Sequence, residues 1–395
     1  MIHTSTGGSL AGGVLNLVNS IVGAGVLSLP YAFKLCGRGV GVAYVLIFGA
    51  LARHSSSLLI ESSAIKGIRS YEGLASAAMG RAGWYWLNLA IFANNTGACL
   101  SYMIVIGDIV PNLLTEMGMP TDRSVVLALA TVLIIFPLAA QRDISALEHA
   151  SGLAILIYFA FATAMFTLFL GSDAEHLDPP PALVKSDPSG YIRAAPLTVF
   201  SYTCMPAIFP IYQELSDPTP ARMAKLTTLG IGFACVVYVI TGYGGYSFFG
   251  EDTRGDVLLN LATLEGAAFK WLRLAIGVSI CLTYPMLMYP ARRSLDQMLF
   301  NSSEGNAPYA RLFVETVAIV GASLCVGIYV ESLEAVMGFI GSVASTCTLL
   351  ILPATIYLCI SPAGLAANWH EVAFLVTGVS LGVLGLVVHI QETFQ

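Results

Sequence analysis

The feature that most constrains this chain is a series of long stretches without a single Asp, Glu, Lys or Arg. They are residues 1–33, 82–107, 149–172, 194–213, 226–250, 335–370 and 372–391. A helix that crosses hydrocarbon needs about 20 mostly apolar residues, and several of these windows supply them. Only 11% of the 395 residues are charged, against about 25% in an ordinary soluble domain. That is too little charge to solvate a globular surface. A net charge of −6 without any basic run excludes a nucleic-acid binder. The chain reads as an all-α polytopic membrane protein in contact with lipid, a single transmembrane domain over residues 1–395.

Eleven spans are expected, roughly 8–34, 39–60, 82–112, 124–141, 146–170, 192–215, 222–249, 270–299, 311–330, 334–360 and 369–390. Trp84, Tyr85 and Trp86 open the third where an interfacial aromatic belt belongs. The longest polar segment, Gly171–Ala195, carries Asp173, Glu175, Asp178 and Asp187 and divides five spans from six. No basic region precedes the first apolar stretch, so the first helix is expected to be retained rather than cleaved. With a cytosolic N-terminus, ten of the 18 basic residues fall in cytosolic loops, a small positive-inside bias. The matches to a glycosylation acceptor at Asn94 and Asn301 fall within a span and in a cytosolic loop, so neither is expected to be modified. All eight cysteines lie in or beside apolar segments with no CxxC, which predicts packing residues, not a disulfide or zinc framework.

Two spans carry interruptions at corresponding places. Span one contains Gly23-Ala24-Gly25, and span six contains Cys204-Met205-Pro206 just after Phe200, Ser201 and Tyr202. Spans one to five (about 8–170) and six to ten (about 192–360) have similar lengths, with 369–390 left as an extra helix. Paired interrupted helices in two halves are the sequence pointer to a transporter built from inverted repeats. Free backbone groups at membrane depth are tolerated only inside protein or around a wet cavity. A half-helix N-terminus suits a carboxylate, while unwound carbonyls suit an ammonium group or a small cation. The interruptions therefore predict a site for a zwitterion with a cation beside it.

The string Asn16-Leu17-Val18-Asn19-Ser20-Ile21-Val22-Gly23-Ala24-Gly25-Val26-Leu27-Ser28-Leu29-Pro30-Tyr31-Ala32 closely resembles the first helix of the amino acid/auxin permease superfamily, and within it the solute carrier 38 branch of sodium-coupled neutral amino acid transporters. Supporting landmarks are Tyr71-Glu72-Gly73-Leu74-Ala75, Asn95-Thr96-Gly97-Ala98, Pro210-Ile211-Tyr212-Gln213-Glu214-Leu215, Leu282-Thr283-Tyr284-Pro285 and Tyr289-Pro290-Ala291-Arg292-Arg293-Ser294. The resemblance implies the leucine-transporter architecture, a five-plus-five inverted repeat with an eleventh helix, expected as a monomer. It also implies sodium symport of neutral amino acids by alternating access, with sodium as coupling ion and no organic cofactor. Sodium ligands then fall on Asn19, Val22 and Thr283, and substrate contacts on Gly23, Ala24, Gly25, Asn95, Phe200, Ser201 and Tyr202. Glu214 closes span six on the side that also holds Arg292 and Arg293, which suggests an inner-gate salt bridge. The competing expectations are a proton-coupled or exchanging permease of a vacuolar or lysosomal membrane, and a sensor of the same fold. The membrane itself stays open between plasma membrane and vacuole or lysosome. An enzyme is not expected, since neither HExxH, GxSxG nor a P-loop occurs.

Overall fold

The computed structural model describes residues 8–141, 148–171, 180–300 and 308–393. Every regular element among them is helical, and the one extended contact is a bridge between Gly8 and Leu215. The first apolar stretch forms two helices, α1 (Leu10–Ile21) and α2 (Gly25–Cys36), bent by 59°. Then follow α3 (Arg38–Lys66), α4 (Tyr71–Glu116), α5 (Arg123–Ala139) and α6 (Glu148–Leu170). The second interrupted span is α7 (Pro188–Ser201) and α8 (Met205–Glu214), which together run as one stretch without a comparable bend. The chain continues through α9 (Pro220–Phe249), the short α10 (Val257–Leu261), α11 (Ala267–Phe300), α12 (Tyr309–Tyr329), α13 (Leu333–Ile360) and α14 (Trp369–Thr393).

Among the described residues nine helices are long and apolar enough to cross a membrane, and the bent α1–α2 pair makes ten. The expected fourth span, α5, is shorter, at Arg123–Ala139. The expected third span, 82–112, is the second part of a longer helix. Gly80 takes φ 65°, the left-handed region that a residue with a Cβ rarely enters, and separates the turn around Tyr71–Met79 from the span proper. The acids Asp173, Glu175 and Asp178, the basic Arg142 and the Asn301 acceptor lie outside the described residues.

Local chemistry explains where the helices begin. Ser9, Ser70, Asp122, Asp187, Thr219 and Ser332 each accept a hydrogen bond from a first-turn amide of the helix that follows. Pro188 and Pro220 occupy first turns, where a missing N–H costs nothing. Two helices depart from α geometry. A π turn covers Thr131–Ile135 in α5, and two more cover Gly341–Ser345 and Cys347–Ile351 in α13. The last helix is peripheral: only 17% of its apolar window is buried, against 72% for the interrupted α7–α8 span. It is tied on by His389, whose Nε2 is 2.7 Å from the Ala335 carbonyl, and by Glu371, 2.8 Å from His54 Nε2.

Candidate functional site

The two interruptions meet. A Cβ placed on Gly25 would stand 2.6 Å from Ser201 Oγ and 2.9 Å from Ser201 Cα. The first residue of α2 therefore touches the last residue of α7, an approach only glycine permits. In span one the backbone ladder stops with Val22 N donating to Val18 O at 2.7 Å and resumes with Val26 N donating to Gly23 O at 3.2 Å. The amides of Gly23, Ala24 and Gly25 stand outside that ladder, at the positive end of α2. In span six Thr203 N reaches back to Phe200 O, and the ladder restarts with Ala207 N donating to Cys204 O at 3.0 Å. No charged side chain belongs to either interruption.

Tyrosines from neighbouring helices hold these ends. Tyr238 of α9 is fully buried, and its hydroxyl lies 2.8 Å from Ile21 O and 2.6 Å from Ser201 O. One hydroxyl thus joins the carbonyl ends of both half-helices. Tyr202 directs its own hydroxyl away, donating to Val45 O at 3.0 Å and meeting Cys235 Sγ at 3.0 Å. That leaves the backbone of 202–204 as the part of this turn that can meet a ligand. The hydroxyl of Tyr102 on α4 would be 3.2 Å from a Cβ on Gly23, and it sits beside Thr283 of α11 and Tyr158 of α6. Tyr102, Tyr158 and Tyr238 were not among the sequence candidates. The available signal is their chemistry: a tyrosine buried in an apolar helix must find a partner for its hydroxyl.

The structure disperses the remaining candidates more than the sequence order suggests. Val22 is buried and Asn19 is half-buried on α1. Thr283 is buried and donates to Ser279 O at 2.8 Å, one turn back on its own helix, which leaves its lone pairs for another donor or a cation. Among the described residues no hydrogen bond joins Asn19 to Thr283; Tyr102 stands between Gly23 and Thr283 instead. Asn95 donates to Ile91 O at 2.9 Å, and its neighbour Asn94 accepts from Ser345 Oγ at 2.7 Å, tying α4 to a π turn of α13. Phe200 is half-buried beside Ser201.

The suggested gate pairing is not formed. Glu214 is exposed, and its carbonyl accepts from Gly8 N at 2.8 Å. Arg292 is buried and donates to Ala139 O at 3.1 Å, Gln141 O at 3.1 Å and Thr316 Oγ1 at 3.0 Å. A guanidinium fork fits the unpaired carbonyls at the C-terminal end of α5, where the helix dipole also favours a cation. Arg293 follows it half-buried on α11. None of the ion pairs among the described residues joins either arginine to Glu214.

Two half-helices that offer amides on one side and carbonyls on the other can bind both ends of a zwitterion without any charged side chain. The arrangement of the helices has solved counterparts. A solved structure of MhsT in complex with L-phenylalanine superposes with a TM-score of 0.59 at 15% identity, covering 96% of this chain and 98% of that one. A sodium-coupled sialic acid symporter in a substrate-bound, outward-open state gives 0.58 at 12% identity, covering 96% and 90%. The molecule is thus a multi-pass integral membrane protein with the leucine-transporter type of fold. Its sequence matches the profile described as "Transmembrane amino acid transporter protein" over residues 6–394, and the chain belongs to that family. Among relatives, solute carrier family 38 member 10 of Homo sapiens is 29% identical over 398 residues, 96% of this chain. The putative sodium-coupled neutral amino acid transporter 10 of Xenopus laevis is 28% identical over 375 residues, 90% of this chain. The chain spans about a third of those relatives, 34% and 35%. It covers 81% of the Arabidopsis thaliana amino acid transporter AVT6A, at 28% identity over 377 residues.

Proposed function

We propose that this chain is a secondary active transporter that carries neutral amino acids by sodium symport and alternating access. The observation that carries the reading is the contact of the two interruptions at Gly25 and Ser201, with backbone ends bridged by Tyr238. The α2 amides receive the carboxylate, and carbonyls of the interrupted spans receive the ammonium group. Sodium lies beside it, with Asn19, Val22 and Thr283 as ligands. The two halves, about 8–170 and 192–360, act as inverted repeats around this site, with a cytosolic N-terminus and α14 outside the moving parts. The names of the relatives, which include a sodium-coupled neutral amino acid transporter, support the substrate class and the ion.

Uptake of a labelled amino-acid panel into proteoliposomes under imposed sodium or proton gradients tests the reading. Transport driven by acidification and indifferent to sodium would replace it with the proton-coupled alternative. Recognition needs both ends of the zwitterion, so the amide and the N-acetyl form of a transported amino acid are expected to compete poorly. Each leaves buried polar groups unpaired at about 1–3 kcal/mol, about a ten- to hundredfold loss of affinity. Equal competition by the amide in the same uptake assay would point to another substrate class.

The ion site has its own test. Thr283→Ala removes one oxygen, which at about 1–3 kcal/mol raises the sodium needed for half-maximal uptake about ten- to hundredfold. Thr283→Ser keeps the hydroxyl and is expected to stay near wild type. A sodium titration that is identical in Thr283→Ala and wild type would return Thr283 to a packing role.

A further inference from the structure

A cavity of about 350 Å³ opens at the end of the bundle where α2 finishes, away from Leu10 and Glu214. Its walls come from the end of α2, from Asp108 on α4, from residues 252–256 between α9 and α10, and from residues 331–334 at the start of α13. Asp108, Asp252, Asp256, Glu331 and Glu334 face two basic residues, Lys34 and Arg254. Lys34 is already engaged: its Nζ donates to Thr253 O at 3.1 Å and lies 5.7 Å from the Tyr31 ring centroid.

Two carboxylate oxygens in this wall lack any donor. Asp256 is only 2% exposed; Oδ1 accepts from Leu258 N at 2.9 Å, while Oδ2 is buried without a partner. Asp108 meets Arg123 Nη2 at 3.4 Å through Oδ1, and its Oδ2 is likewise buried and unpaired. Glu334 packs directly on the backbone of Gly255, where a Cβ would overlap its carboxylate. Buried acceptors of this kind call for N–H donors. Among the described residues no group of three acids or other metal-binding side chains is arranged to hold a metal ion, and the volume suits a ligand of several heavy atoms.

We propose that this cavity binds an organic ammonium or guanidinium cation, whose N–H groups satisfy Asp256 and Asp108. The site lies at the far end of α2 from the contact of Gly25 with Ser201, and it does not depend on the transport reading. Burial first, then the charge of Asp108, hold Asp256 well above the usual carboxylate range, and Glu334 adds to this. Glu331, just before α13, and the cations Lys34 and Arg254 also line the cavity, and Arg123 pairs with Asp108. The cation therefore binds in competition with a proton, and its affinity rises with pH.

The probe is agmatine, which carries both cationic groups and lacks a carboxylate, titrated calorimetrically into the purified full chain at pH 6, 7 and 8. Saturable binding is expected, strengthening by up to about tenfold per pH unit for a single displaced proton. Asp256→Asn keeps the acceptor for Leu258 N and removes the charge, so agmatine binding is expected to fall about tenfold or more and to lose its pH dependence. Glu334→Gln, whose side chain does not cap α10, is expected to weaken binding in the same direction. Both variants should bind a transported amino acid as wild type does. Absence of saturable agmatine binding at pH 8, or binding indifferent to both variants, overturns the proposal. Calcium binding alone, at equal or higher affinity and lost in Asp256→Asn, would make this an inorganic cation site and overturn it too.

Discussion

Gly25→Val is expected to abolish transport, with uptake below about 1% of wild type at matched protein in the membrane. The smallest added atom, a Cβ, would already lie 2.6 Å from Ser201 Oγ and 2.9 Å from Ser201 Cα. Overpacking a tight contact costs about 1–3 kcal/mol or more, and here the displaced parts are the two half-helix ends that form the site. The branched side chain would also occupy the approach to the α2 amides. Gly25→Ala is expected to be impaired less severely, and Ser201→Gly in the same chain should restore part of its uptake by removing the Oγ and Cβ that it meets. That coupling separates a local clash from general misfolding. Full uptake by Gly25→Val at normal substrate affinity would remove the interrupted helices from consideration.

Tyr238→Phe carries the second large effect, because one hydroxyl serves carbonyls of two different spans. Its removal takes away the single O–H that Ile21 O and Ser201 O share, at 2.8 and 2.6 Å. Buried carbonyls left without a donor cost about 1–3 kcal/mol, so the apparent substrate affinity is expected to weaken about ten- to hundredfold. The ring still packs edge-on against Tyr202, 5.1 Å between centroids, so the protein should insert and purify as wild type does. Concentration-dependent uptake measures the effect. An unchanged half-saturation concentration would show that the two carbonyl ends hold their positions without Tyr238.

The sequence discloses what the bilayer dictates. Uncharged windows of helical length follow from the thickness of hydrocarbon, and Gly23-Ala24-Gly25 and Cys204-Met205-Pro206 interrupt helices for reasons internal to those residues. That the two interruptions touch is a property of packing between residues far apart in the chain. No local pattern encodes the distance from Gly25 to Ser201, or the reach of Tyr238 to both. The gate shows the same limit in reverse. Glu214 and Arg292 share one end of the bundle, which suggested a pair, but backbone carbonyls of α5 compete for the guanidinium and hold it. Span boundaries shifted for smaller reasons, such as the left-handed Gly80 inside an otherwise continuous helix.

The π turns of α13 bear on how this chain should be lined up with its relatives. Each holds one residue more than α geometry would place over the same rise, so it has the form of a tolerated insertion. Deleting one residue from Gly341–Ser345 would restore a regular ladder and leave the helix beyond it near its present angle, whereas the same deletion in a regular α turn would rotate everything that follows by about 100°. What such a deletion removes is the wide turn itself, at the end of which Ser345 meets Asn94 at 2.7 Å. A single-residue gap placed here in an alignment therefore has a direct meaning: one homologue keeps the wide turn beside span three and another closes it, with the rest of the helix in register.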